Sequence, residues 1–191
     1  MHRLDPRAPL VIDTRELGRR PGWMRTHSRT VAAPGDLGID VIAVPEGTDL
    51  ALDLRLEAVM EGVLVSGTAR GHLRGECVRC LDPLDRELNC EFQELFAYPG
   101  AERHHDADDL PRMDGDLLDL EPVIRDAVVL ALPFQPVCSP DCPGLCPECG
   151  THLADQPGHE HATADPRLSA LQIMYGAEAR PGPGAADNEE R

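Results

Sequence analysis

The sequence predicts an α+β domain: an antiparallel, barrel-like or sandwiched sheet with one packed helix, followed by a C-terminal segment held by cysteines rather than by a core. Three observations carry this. Apolar and polar residues alternate around residues 50–57 and 84–96, the period of half-buried strands. Apolar residues recur at helical spacing over residues 120–131. Six of the seven cysteines fall into two clusters, Cys77-Val-Arg-Cys80 and Cys138-Ser-Pro-Asp-Cys142-Pro-Gly-Leu-Cys146-Pro-Glu-Cys149-Gly150.

Taken in order, residues 1–9 read as loose. Leu10-Val-Ile-Asp-Thr-Arg-Glu-Leu17 reads as a first strand, and the Gly/Arg/Pro-rich stretch 18–22 as a connector. Residues 37–60 read as a half-buried strand region, with Leu50, Leu52, Leu54 and Leu56 on one face and Asp53, Arg55 and Glu57 on the other. Val63 to Arg70 is another strand, with bends at Gly62, Gly67 and Gly71. In 84–96, Leu84, Leu88, Cys90, Phe92 and Phe96 point one way and Asp85, Glu87, Asn89, Glu91 and Gln93 the other. This puts Cys77 and Cys80 at the tip of a hairpin. Residues 99–116 are acidic, contain histidine and have no period, so a mobile loop is expected. Asp119 is placed to cap a helix with Pro122 in its first turn, where the missing N–H costs little. Leu120, Val123, Ile124, Ala127, Val128 and Ala131 form its apolar stripe, and Pro133 and Pro136 end it. Asp165-Pro166 repeats the start signal for a short helix through Leu168, Leu171 and Met174. The expected division is a core domain over 10–135, a Cys/His-rich knuckle segment with a short helix over 136–175, and a disordered tail over 176–191.

The chain has 191 residues and a formal net charge of -16. All basic residues are arginines. Seven precede residue 30 against three acids, so that stretch is +4 and the rest is -20. A body this acidic repels a phosphate backbone and excludes nucleic-acid binding over its whole surface. Contact with RNA is expected through the basic stretch (Arg15, Arg19, Arg20 and Arg25, with Trp23) or through a metal knuckle. Trp23 among arginines can stack on a base or anchor the basic stretch onto the domain. The acidic body suits a basic protein partner. No stretch resembles a signal peptide, and the run from Ala127 to Leu132 is too short to span a bilayer. A cytoplasmic protein with no membrane partner is expected, and there paired cysteines favour metal or redox chemistry over disulfides.

A Cys-x2-Cys step lets two thiolates reach one ion, and a glycine after the second cysteine frees the backbone for a tight turn. Zinc takes four ligands in a tetrahedron, so six cysteines are too many for one site and too few for two. His159 and His161 supply the missing pair. One division sets Cys77, Cys80, Cys138 and Cys142 on one ion and Cys146, Cys149, His159 and His161 on another. The rival sets Cys138, Cys142, Cys146 and Cys149 on one ion and leaves Cys77 and Cys80 free; spacing does not decide. Either way the zinc is structural, because four protein ligands leave no open position. It would supply much of the folding free energy of a segment without a core.

Other chemistries are poorly supported. Arg74 and Arg79 are near enough in sequence to lower a thiol pKa, but Leu81-Asp-Pro83 reads as a turn and not the helix start of a redox motif. Cys90 reads as a core residue, and His104-His105 as solvated loop. The chain has no phosphate-binding Gly loop, Gly-x-Ser-x-Gly or His-Glu-x-x-His motif. No catalytic residue and no small-molecule substrate are expected.

The ordered combination of Cys77-Val-Arg-Cys-Leu81, an acidic loop, Leu130-Ala-Leu-Pro133, the second cysteine cluster and Asp165-Pro-Arg-Leu-Ser-Ala-Leu171 resembles the YceD family of bacterial and plastid proteins. The opening Leu10-Val-Ile-Asp-Thr-Arg-Glu-Leu17 resembles its actinobacterial branch. The resemblance covers about residues 10–175. It implies a ribosome biogenesis factor needed for accumulation of 23S rRNA, with the large-subunit pre-ribosome as partner and no enzymatic activity. Relatives carry Cys-x-Cys where this chain has His159-Glu-His161, which implies a ligand role for the histidines. The alternative from another class is a thiol- or zinc-dependent enzyme acting on RNA or protein.

Overall fold

The computed structural model of the protein describes residues 3–100 and 110–161. The elements are β1 (Val11–Asp13), β2 (Met24–Ala32), β3 (Leu37–Ile39), β4 (Ile42–Val44), β5 (Asp49–Ala58), β6 (Gly62–Glu76), β7 (Pro83–Ala97), β8 (Leu117–Asp119) and α1 (Glu121–Ala131). The fold class is the expected one: antiparallel sheet with a single helix among the described residues.

β6 is the spine. One edge pairs with β5 along 63–70 and with β4 at 74–75, while the other pairs with β7 along its whole length. β2 extends the sheet beyond β5, and β3 extends it beyond β4. β1 and β8 form a separate two-stranded sheet. Period-2 alternation gives this arrangement one dry face. Leu50, Leu52, Leu54 and Leu56 of β5, Val63, Val65 and Ala69 of β6, and Leu88, Cys90, Phe92 and Phe96 of β7 are all buried. Leu118 of β8 and Ile124 and Val128 of α1 complete the same core. Cys90 is a core residue, as expected; burial pushes its thiol pKa up.

Several elements differ from the expectation. Residues 37–60 hold three strands, because a turn closes at Pro45, whose carbonyl accepts from Thr48 N–H at 3.2 Å and Thr48 Oγ1 at 2.7 Å. The first strand is shorter: after Asp13 the chain turns, with Leu17 N–H donating to the Thr14 carbonyl at 2.9 Å. β2 is absent from the expectation altogether, since its Arg, Thr, His and Ser residues carry no apolar period. Of the loop expected over 99–116, residues 101–109 lie outside the described residues; in the rest Met113 is buried and Arg112 bridges to Ala97.

The N-cap of α1 is Leu120 and not Asp119, yet Asp119 still serves the helix start, its Oδ1 accepting from Glu121 N–H at 3.0 Å. Arg125 ties the helix to the turn before β3, donating to the carbonyls of Asp36 and Gly35 and to Glu121. The chain divides into two compact units, Met1–Leu145 and Cys146–Arg191. Cys138 and Cys142 therefore belong with the sheet. Among the described residues no helix is long and apolar enough to cross a membrane. The expected helix after Asp165-Pro166, the tail and His104-His105 lie outside the described residues.

Candidate metal centres

In the first unit, β6 and β7 run together to Glu76 and Pro83, and the six residues between them turn tightly. Leu81 N–H donates to the Cys77 carbonyl at 2.8 Å, and Cys77 N–H donates to the Asp82 carbonyl at 2.8 Å. The second unit repeats this pattern: Gly150 N–H donates to the Cys146 carbonyl at 2.9 Å and Cys146 N–H to the Thr151 carbonyl at 2.8 Å. Both turns need a left-handed residue just after the second cysteine. Gly150 takes it at φ 72, and Leu81 takes it at φ 64. A side chain there costs about 1 kcal/mol or more. Leu81→Gly is therefore expected to raise thermal stability by up to about 1 kcal/mol, because the exposed leucine gives up little burial. A melting curve lower than that of the natural chain would show that Leu81 is held by contacts instead.

Of the two ligand divisions that the sequence leaves open, the first is the one whose atoms come together. Cys77 and Cys142 have their sulfurs 3.9 Å apart, and Cys80 and Cys138 3.6 Å. All four lie within 4.8 Å of one another. A tetrahedron with Zn–S bonds of about 2.3 Å has edges of about 3.8 Å, so the separations suit one such ion. A disulfide needs sulfurs at about 2 Å, and all seven cysteines are free. Cys77, Cys80 and Cys142 are buried with Leu84, and Val137 packs on them, so the site is largely dry.

The segment carrying Cys138 and Cys142 is held on the hairpin tip by backbone partners. Val78 N–H donates to the Pro136 carbonyl at 2.9 Å and Leu145 N–H to the Arg79 carbonyl at 3.0 Å. Arg79 Nη1 reaches the carbonyls of Pro140 at 3.3 Å and Cys142 at 3.0 Å, and Arg86 donates to the Val137 carbonyl. Arg79 thus acts as a clamp, not as the thiol activator that its position between two cysteines suggests. Burial works against ionising Cys77, but the backbone N–H groups of Cys80, Cys138 and Arg79, with the Cys80 thiol, outweigh it and lower the pKa to about 6. The Asp82 N–H pulls Cys80 down, yet burial, the Asp82 carboxylate and the thiols of Cys77 and Cys138 push it up overall. Burial also pushes Cys142 up. One thiolate is held ready, and a cation is what would draw off the further protons.

In the second unit Cys146, Cys149, His159 and His161 offer ligand atoms within 4.8 Å of one another. Cys149 Sγ lies 3.2 Å from Nε2 of both histidines, and the two Nε2 atoms are 2.8 Å apart. These are somewhat inside the edges of about 3.3–3.6 Å that a mixed N/S zinc tetrahedron has. The Thr151 hydroxyl and backbone N–H lower Cys149 against burial, with help from His161 and Cys146, to about 6. Glu148 Oε2 lies 3.5 Å from His161 Nδ1. A carboxylate on one imidazole nitrogen fixes the ring and leaves the other for a metal. The ligand motifs did not single out Glu148 or Asp82; their only sequence signal is an acid within or just after a Cys-x2-Cys step.

The basic stretch is not a free arm, since residues 24–32 pair with β5 throughout. Arg15 pairs with Asp13, Arg19 with Asp116 at 3.3 Å and Arg25 with Glu16 at 3.0 Å. Arg20 stacks on Trp23 at 5.6 Å and Arg19 on Tyr98 at 5.0 Å. Trp23 is anchored through its backbone to Ala58, and the residue is 54% exposed.

A family model described as Large ribosomal RNA subunit accumulation protein YceD matches residues 65–174. Uncharacterized proteins of Mycobacterium tuberculosis and Mycobacterium bovis are each 47% identical over 174 residues, covering 90% of this chain and 84% of theirs. One of Mycobacterium leprae is 41% identical over 169 residues, covering 87% and 78%. No solved structure matches the chain.

Proposed function

Because this chain belongs to the YceD family, described as large ribosomal RNA subunit accumulation proteins, we propose that it is a non-enzymatic cytoplasmic factor for 23S rRNA processing and large-subunit assembly. The observation that carries the mechanism is the segregation of charge: a +4 stretch before residue 30 and a body of -20. The acidic body holds a basic ribosomal protein or assembly partner. Arg15, Arg19, Arg20 and Arg25, with the exposed ring of Trp23, touch rRNA. Three of these arginines sit in exposed ion pairs that contribute little and can be exchanged for phosphate contacts.

Both Cys/His clusters hold structural zinc in this reading. Cys77, Cys80, Cys138 and Cys142 tie the hairpin tip to the segment after the helix, and Cys146, Cys149, His159 and His161 fold the knuckle. Four protein ligands at each ion leave no place for a reacting water, which weighs against the enzymatic alternative.

The test is gradient sedimentation of the tagged chain from growing cells, with sequencing of the co-purifying RNA. Co-migration with large-subunit precursors and enrichment of 23S sequence is the expected result. Migration as free protein without rRNA or ribosomal protein would overturn the reading. Changing Arg15, Arg19, Arg20 and Arg25 together to Ala is expected to weaken the association by about tenfold or more at low salt. An unchanged profile would move the RNA contact elsewhere.

A further inference from the structure

β2 departs from the pattern of the sheet that it extends. Its register sets Arg25, His27 and Arg29 opposite Leu56, Leu54 and Leu52 of β5. Directly paired residues leave a sheet on the same side, so these polar side chains share the face that elsewhere builds the core. His27 and Arg29 line a cleft of about 550 Å³, bounded also by Val11, Asp13, Arg15 and Glu16.

Arg29 is half-buried there. Its Nη2 donates to the Val11 carbonyl at 3.3 Å, and its Nε is buried without a partner. Burial holds its pKa below the usual arginine value, as expected for a charge that has lost water and gained no counter-ion among the described residues. The carboxylates lining the cleft are engaged by other arginines, Asp13 by Arg15 and Glu16 by Arg25. A partly desolvated guanidinium without an acid is costly unless something anionic supplies the missing contacts, and a phosphate suits its planar fork.

We propose that the cleft between β1 and β2 is a phosphate-binding site, with the Arg29 guanidinium and the His27 imidazole as its donors. The same chemistry is offered by a phosphodiester of RNA and by free phosphate. The RNA source rests on the function proposed above, and the exposed Trp23 immediately precedes the strand that carries both donors.

The experiment uses the full chain and a fluorescein-labelled single-stranded RNA of mixed sequence, read by anisotropy between about 50 and 200 mM salt. A parallel arm titrates inorganic phosphate and follows the His27 ring resonance by NMR. Arg29→Gln is expected to weaken RNA binding by about five- to tenfold and to flatten the salt slope by about 0.7, the loss of one phosphate contact on a single strand. Arg29→Lys, which keeps the charge and loses the fork, falls between. Circular dichroism checks folding, and the single hydrogen bond lost leaves the melting curve close to that of the natural chain. RNA binding that is indifferent to Arg29→Gln, with a phosphate-silent His27, overturns the cleft while the rRNA reading stands. A His27 shift that needs Arg29, without any RNA binding, keeps the phosphate site and removes its RNA source.

Discussion

Cys77→Ser and Cys146→Ser are each expected to lower bound zinc by one ion of the two that the clusters can hold, but with different structural results. Cys77 lies at the end of β6 and is fully buried, and its cluster joins two stretches of chain about 60 residues apart. Without the ion, the buried thiols of Cys80 and Cys142 remain beside Leu84 and Val137, with Cys138 exposed. The segment over 136–145 is then left on a few hydrogen bonds from Val78, Arg79, Arg86 and Leu145. The β6–β7 hairpin has its own continuous register and stays paired. The expected outcome is a loss on the order of 5 kcal/mol in the docking of that segment, read as rapid proteolysis between residues 133 and 145.

Cys146→Ser acts locally. Cys146 and its partners Cys149, His159 and His161 span only sixteen residues that have no apolar core among the described residues, so that knuckle unfolds while the sheet melts as before. Zinc counting by mass spectrometry and limited proteolysis check both variants. If either substitution releases both ions, or if neither releases one, the division of ligands is wrong.

The second large effect is expected at Gly75, two residues before Cys77. A Cβ there would lie 2.3 Å from the Val41 carbonyl oxygen and 2.8 Å from Ile42 Cα. Both obstacles are backbone, so Gly75→Ala must force β4 away from β6, where Ile42 pairs with Gly75 and Ala43 with Arg74. Ile42 is 1% exposed and is displaced with its strand. The cost is expected to be about 3 kcal/mol, the upper range for overpacking. Gly71→Ala is the control: its Cβ would meet the tip of the Leu50 side chain at 3.3 Å, which can yield, for a cost of about 1 kcal/mol or less. Urea unfolding of the two variants checks the contrast. Equal midpoints would show that β4 accommodates the methyl without leaving the sheet.

The chemistry was legible in the sequence wherever it is local. A Cys-x2-Cys step reveals a possible pair of ligands because two thiolates so close in the chain reach one ion with little help from the fold. The strands around Leu50–Leu56 and Leu84–Phe96 were legible because one face is buried and the other wet, and the helix because its stripe recurs at its own period. β2 was not legible, because an edge strand with polar residues on both faces has no such contrast. For the same reason the arginines before residue 30 read only as a basic stretch, while Arg25 and Arg29 sit on a paired strand.

The sequence by itself therefore determined the fold class, the family and which residues can ligate a metal, since each depends on short-range spacing or on a specific run of motifs. Only the tertiary structure decided which ligand pairs meet, that Arg79 clamps a neighbouring segment, and that Arg29 lies in a cleft whose carboxylates, Asp13 and Glu16, pair with other arginines. Those outcomes depend on contacts between residues from 18 to 65 positions apart, set by strand register and by the closing of the hairpin, and no local pattern encodes them.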